Sequence, residues 1–443
     1  MKTLGNICGP VGRQLIEELG CYVVTEVQPF VLDAARCDGM WLATVDGGRI
    51  FDWAGFYASR LIGYNHPDLQ EPDYVRRLVL AANLKPANPD FLTPDCVEYY
   101  RTIHRLAPRC MRNPKLEVYA VNSGAEAVEN MMKYFINLRH QAGGGTVRPG
   151  ANSRFLYFER AFHGRTVFAL NVTQTFDPVV TRDFHGLIHG NIQVPFPEIN
   201  TSGSAAQNEA RTQEALLTVE KMLRRFPGEI AGIIVEPIQG AGGHRVAAPE
   251  FFQGLSRLAH EHQVFLGFDE VQTAGGPTGE VFMVDQLALP HPPQAVAVAK
   301  KFGCGVVFMR HPMDDHGVLD STWGGALVDM VRFVQEMKIV EREGLIPAAR
   351  VQGEKLAAAL RALEKKFDGL LLNVRGQGLY QGFSIRTPPL RDALLEIALR
   401  EAGLLLLGAG TDSIRLRPNL SVTAAEIEQL ISLLDRCLGR LPR

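Results

Sequence analysis

The sequence predicts an α/β fold, with a mainly parallel sheet covered by helices on both faces and a smaller α+β lobe after it. Three observations carry this. Short apolar segments alternate with helical stretches from about residue 71 onward. The segments are apolar at successive positions, as in strands buried on both faces. Beyond about residue 329 the alternation gives way to long helices flanking a polar–apolar strand region.

The elements follow in order. Residues 1–70 are mixed in character, and Met40 to Asp52 reads as two short strands joined by Asp46-Gly47-Gly48, a hairpin signal. The clearest strands of the next region are Leu116–Val121, Arg154–Phe158, Ile230–Val235, Val264–Phe268, Ala295–Ala299 and Gly305–Met309. Helical patterns between them cover Ala125–Arg139, Glu209–Arg225 and Pro249–His262. Gln141 to Ser153, rich in Gly and Pro with few apolar anchors, is expected to be the least ordered part. Asp329–Glu343 reads as a long helix leading away from the sheet. Then come a helix at Ala348–Lys366, strand character over Leu371–Ile385, a helix at Leu390–Ala402, and a last strand and helix. The expected organisation is an N-terminal segment (1–70) that joins a small C-terminal domain (330–443), with a large domain (71–329) between them.

The chain of 443 residues is 46% hydrophobic, enough for a large core. A net charge of -2 argues against nucleic acid as a partner. No stretch of about 20 apolar residues exists to span a bilayer. The N-terminus, M-K-T-L-G-N-I-C-G-P-V-G-R-Q, lacks the apolar core of a secretory signal. The 7 cysteines are scattered without a C-x-x-C pair, which fits reduced thiols in the cytoplasm and no metal site.

Ligands of open α/β sheets sit beyond the C-terminal ends of the strands. Several reactive groups fall there. Asp269 and Glu270 close V-F-L-G-F-D-E, Lys300 and Lys301 close A-V-A-V-A-K-K, and Glu236 closes I-I-V-E-P. Ser123-Gly124-Ala125 follows V-Y-A-V-N and opens a helix, whose free N–H groups and dipole suit an anion. Taken alone, this is an ordinary helix cap. A lysine reaching a closed site loses proton affinity by desolvation, and its free amine suits Schiff-base chemistry. The bland reading is that the lysines lie in a solvated loop, and of the two Lys301 is the one expected there. A phosphate anchor, a Schiff-base lysine and a strand-end acid are the three contacts a pyridoxal phosphate site needs. On this reading Asp269 meets the ring nitrogen, and Glu270 turns to the other face of the strand and makes a structural contact. The plainer alternative for Asp269 is an ion pair with an arginine.

Seven ordered motifs, V-N-S-G-A-E-A-V-E-N, A-F-H-G-R, V-E-P-I-Q-G, F-D-E-V-Q-T-A-G-G, A-K-K, S-T-W-G-G and R-G-Q-G-L, resemble the class III (ω-) aminotransferases of fold type I. The resemblance runs from about Trp41 to the C-terminal helix. It implies a large domain with a seven-stranded, mainly parallel sheet and a small α+β domain built from both termini. Within the family, A-K-K, D-S-T-W-G-G-A-L-V-D-M-V-R and L-K-P-A-N are most similar to the L-lysine 6-aminotransferases. These move the terminal amino group of lysine to 2-oxoglutarate, giving 2-aminoadipate 6-semialdehyde and L-glutamate.

The resemblance also implies roles. Lys300 holds the cofactor aldehyde and then moves the proton between Cα and C4′. Asp269 pairs with the ring nitrogen, Phe162 stacks on the ring, and Gln272 bonds near its phenolic oxygen. Ser123, Gly124 and Ala125 bind the phosphate, completed by Thr322 of a neighbouring copy in a homodimer. Arg165 holds the substrate α-carboxylate. Arg415 takes the α-carboxylate of glutamate or 2-oxoglutarate, with Arg417, on the same strand face, as its rival.

One departure stands out. Where lysine and ornithine enzymes have a glutamate that masks the C-terminal arginine, this chain has Ala241. Other donors (ornithine, 4-aminobutyrate, a diamine, a modified lysine) therefore stay open. So do a non-transaminating pyridoxal phosphate enzyme and an inactive binding protein on the same fold. No G-x-G-x-x-G follows an early strand, which disfavours a nicotinamide dehydrogenase.

Overall fold

The structure is a computed structural model. It describes residues 7, 9–23, 28–87, 90–142, 154–174, 181, 184, 190–313 and 317–442. Seven strands form the central sheet, in the order Glu117–Val121, Gly305–Met309, Ala295–Val298, Phe265–Asp269, Ile230–Val235, Arg154–Phe158, Ile192–Val194. Gly305–Met309 runs antiparallel to both neighbours, and the other adjacent pairs are parallel. The strand Ile230–Val235 is buried at every position, as its unbroken apolar run requires. The edge strand Ile192–Val194 has only three residues, too short for periodicity to reveal.

Helices cover both faces, and their boundaries follow local chemistry. The helix Gly124–Ala142 opens at Ser123, whose Oγ accepts from the Glu126 N–H at 3.2 Å. The helix Ala205–Arg225 begins earlier than residue 209, because Ser204 and Gln207 form a capping box. Pro249 at the first helical position starts Pro249–Glu261. The long helix after the sheet covers Leu327–Arg342, and the next covers Leu345–Lys366.

The C-terminal region carries a second, antiparallel sheet in the order Leu371–Gln377, Tyr380–Ile385, Ser413–Leu416, Leu407–Ala409. The helices Leu345–Lys366 and Pro388–Ala402 pack with it, and Ala424–Leu438 packs on those two helices. The expected N-terminal hairpin is present, with Trp41–Ala43 paired antiparallel to Arg49–Asp52. Leu404–Leu405 adds to it in parallel, so the N-terminal segment lies against the C-terminal region.

The expectation of low order over Gln141–Ser153 falls mostly on 143–153, which lie outside the described residues. Among the described residues no helix is long and apolar enough to cross a membrane, and no cluster of three His, Cys, Asp or Glu side chains could hold a metal.

Candidate active site

A cavity of about 480 Å³ opens beyond the C-terminal ends of the central strands. Ser123, Gly124 and Ala125 line it from the helix start, Phe162 and Arg165 from the loop after Arg154–Phe158, and Asp269, Gln272 and Lys300 from the strand ends. A larger cleft of about 680 Å³ lies on the other side of the turn Gly240–Arg245. Arg245 there bridges Glu159 and Glu198 at 2.8 and 2.9 Å, so these three charges are already paired.

Asp269 is buried, and its Oδ2 lies 2.7 Å from His163 Nδ1, while Oδ1 accepts from the Val271 N–H at 3.0 Å. The basic neighbour of this strand-end acid is therefore a histidine, not an arginine. His163 stands in the A-F-H-G-R motif, and the need of a buried carboxylate for a partner was the signal that could have found it. Glu270 points into the packed protein. It accepts from Thr273 Oγ1 at 2.7 Å and from the Met283 and Val284 N–H groups at 2.9 and 2.8 Å. Burial pushes its carboxyl up to about 7.

Lys300 sits at φ 54°, a strained left-handed backbone for a side-chain-bearing residue. Its Nζ donates to the Tyr57 carbonyl at 2.9 Å. Burial first, and then Arg415 and Arg417, bring its amine down to about 8. The expectation of a solvated Lys301 is corrected. Lys301 is only 3% exposed, and its Nζ donates to the Gln272 carbonyl at 2.9 Å. Burial holds that amine well below its usual range. The turn after Val298 folds into a short 3-10 helix, Lys300–Phe302, which carries Lys301 inward.

Glu236 is buried and accepts from the Phe162 and Gly240 N–H groups at 2.9 and 3.3 Å. Burial, and then Asp269, push its carboxyl well above the usual range. Gln272 Oε1 accepts from Tyr380 OH at 2.9 Å, a contact from the second sheet that the sequence did not signal.

The two C-terminal arginines differ. Arg417 is buried, lies over the Tyr380 ring 3.3 Å from its centroid, and donates to His244 Nδ1 and to the Gln381 and Leu416 carbonyls. Arg415, on Ser413–Leu416, has a buried Nε without a hydrogen-bond partner, as Arg417 does. Among the described residues no carboxylate lies within ion-pair distance of Arg415. Ala241 contributes only its carbonyl, which accepts from the Gly410 N–H at 3.1 Å. Arg165 is exposed at the rim, and Thr322 is exposed and outside this cavity.

A neutralisable buried amine, a strand-end carboxylate and a helix N-terminus around one cavity suit a phosphorylated heterocyclic aldehyde. The comparisons agree. A class III aminotransferase family model matches residues 22–438. The chain is 32% identical over 442 residues to an L-lysine-epsilon aminotransferase of Amycolatopsis lactamdurans, covering 97% of each chain. It is 34% identical over 437 residues to that of Mycobacterium tuberculosis, covering 95% of this chain and 94% of the relative. A solved lysine aminotransferase from M. tuberculosis superimposes with a TM-score of 0.90 at 32% identity, over 97% of this chain and 99% of the other.

Proposed function

We propose, from the premise that this chain belongs to the class III aminotransferases, that it moves the terminal amino group of L-lysine or a close relative to 2-oxoglutarate. The products are 2-aminoadipate 6-semialdehyde and L-glutamate. It is an aminotransferase that uses pyridoxal phosphate, which supplies an amine-capturing aldehyde and an electron sink. The observations that support the donor assignment are Arg165 at the rim of the cavity and Arg415, which acts on Lys300 from outside the cavity lining.

In this reading Lys300 would hold the cofactor aldehyde through its neutral amine, and its freed amine would move the proton at the reacting carbon of the substrate. Asp269, steadied by His163, keeps a proton on the ring nitrogen. Phe162 covers one face of the ring, Gln272 donates to its phenolic oxygen, and Ser123, Gly124 and Ala125 hold the phosphate. Arg165 anchors the α-carboxylate of lysine, which aims the far amine at the reacting carbon. Arg415 receives glutamate or 2-oxoglutarate, because Arg417 is already bonded to His244, Gln381 and Leu416.

The protein acts as a cytoplasmic homodimer with shared sites. Exposed Leu80, Leu84, Leu92 and Trp323 support this, since they leave apolar surface for a second copy on the chain that also exposes Thr322.

A second reading rests on Ala241. With no carboxylate on Arg415, the site accepts donors that place a carboxylate there, and the lysine ε-amine loses its advantage over other donors. A donor panel with 2-oxoglutarate separates the two readings by measuring glutamate and identifying the carbonyl product. Semialdehyde from lysine supports the first, and a faster ornithine, 4-aminobutyrate or diamine reaction supports the second. Ala241→Glu gives Arg415 a partner and is expected to change the ratio of lysine to glutamate half-reactions. An unchanged ratio shows that masking is not what sets the preference.

A further inference from the structure

We propose that Tyr380 is a positioning residue for the reaction, because its hydroxyl holds the Gln272 amide with the NH2 group facing the cavity. The inference rests on the assignment of Gln272 to the phenolic oxygen of the cofactor.

An amide side chain can present either its oxygen or its NH2 group. At that point only the NH2 end can serve an anionic oxygen. Tyr380 OH lies 2.9 Å from Gln272 Oε1. The titratable groups facing this phenol are Arg417 and Arg415, which only donate, and buried Glu236, whose two oxygens already accept from the Phe162 and Gly240 N–H groups. The phenol proton therefore goes to Gln272 Oε1. This occupies the amide oxygen and leaves Nε2 for the cavity that Gln272 lines.

Three further features hold the arrangement. Gly240 makes room for it, since a Cβ there would fall 2.4 Å from Gln272 Oε1 and 2.7 Å from Tyr380 OH. Lys301 fixes the other end of Gln272 through its carbonyl at 2.9 Å. Arg417 lies over the Tyr380 ring and donates to His244 Nδ1, and burial, then Arg417 itself, holds the proton affinity of His244 well below its usual range. A relay thus runs from His244 through Arg417 and Tyr380 to Gln272. It reaches the cofactor from the second sheet, outside the strand ends that carry Asp269 and Lys300.

The test is a pH titration of the visible absorption band of the bound cofactor, on purified holoenzyme. The phenolic oxygen shares a proton with the neighbouring nitrogen. Weaker donation to that oxygen makes the pair hold the proton more tightly, so the midpoint rises. Tyr380→Phe keeps the ring beneath Arg417 and removes only the hydroxyl. Its midpoint is expected to rise by about half a pH unit or more, the size of one modest hydrogen bond. Gln272→Ala is expected to raise it further, and the double variant to match Gln272→Ala alone. An unmoved midpoint in Tyr380→Phe, or shifts that add in the double variant, overturns the inference. An unmoved midpoint in Gln272→Ala removes Gln272 from the phenolic oxygen, and the underlying assignment falls with it.

Discussion

Asp269 and Glu270 are neighbours, as are Lys300 and Lys301, and each pair splits between two regions of the molecule. Asp269 and Lys300 line the cavity. Glu270 and Lys301 face packed protein and spend their polar atoms on Thr273, the Met283 and Val284 N–H groups, and the Gln272 carbonyl. Burial does not separate the two sets, because Glu270 is less exposed (0%) than Asp269 (5%). Nor does the direction of the pKa shift, because burial lowers both lysines. What separates them is an open path to a ligand. A perturbed group in a cleft is a candidate for chemistry, whereas the same group bonded on all sides holds structure.

The largest expected effect breaks the lysine pair apart. Lys300→Ala is expected to reduce turnover to background while the protein still folds and takes up pyridoxal phosphate. Lys301→Ala is expected to keep measurable turnover and to lose about 1–3 kcal/mol of stability, the cost of an unpaired buried carbonyl. Steady-state rates and urea melts of both variants check this, and the reverse pattern would exchange their roles. Next is the acid pair. Asp269→Asn is expected to cut the rate by about 10²-fold or more, with Glu270→Gln far milder. A near-normal rate in Asp269→Asn would take it off the ring nitrogen.

The smallest effect concerns Glu270 alone. Its carboxyl is raised to about 7 in the folded chain from 4.5. Between those pH values the folded state binds more protons than the unfolded one, so stability falls as pH rises. The loss is on the order of 3 kcal/mol at most, and Glu270→Gln should flatten it. Chemical denaturation from pH 4.5 to 8 reads the slope, and identical slopes in both proteins would contradict the assignment.

Much of the fold was legible because strands buried in a sheet covered on both faces carry apolar runs. Arg154–Phe158, Ile230–Val235 and Gly305–Met309 are observed at their expected bounds. Ile192–Val194 was not legible, since three residues show no period. The cavity members Asp269, Lys300, Gln272, Phe162 and the Ser123 helix start were legible from motifs that place them at strand ends. The placement of Lys301 was not, because a doubled lysine says nothing about which one the chain turns inward. His163 and Tyr380 were missed for another reason. Both act across sequence gaps, of 106 and 108 residues, that only the folded chain closes.

The central claim is that the Lys300 amine, and not its neighbour, is the group that holds the cofactor. Reducing the holoenzyme with borohydride, digesting it and locating the added pyridoxyl mass tests this directly. The account predicts the mass on Lys300, and a pyridoxyl group on Lys301, or on neither lysine, would contradict it.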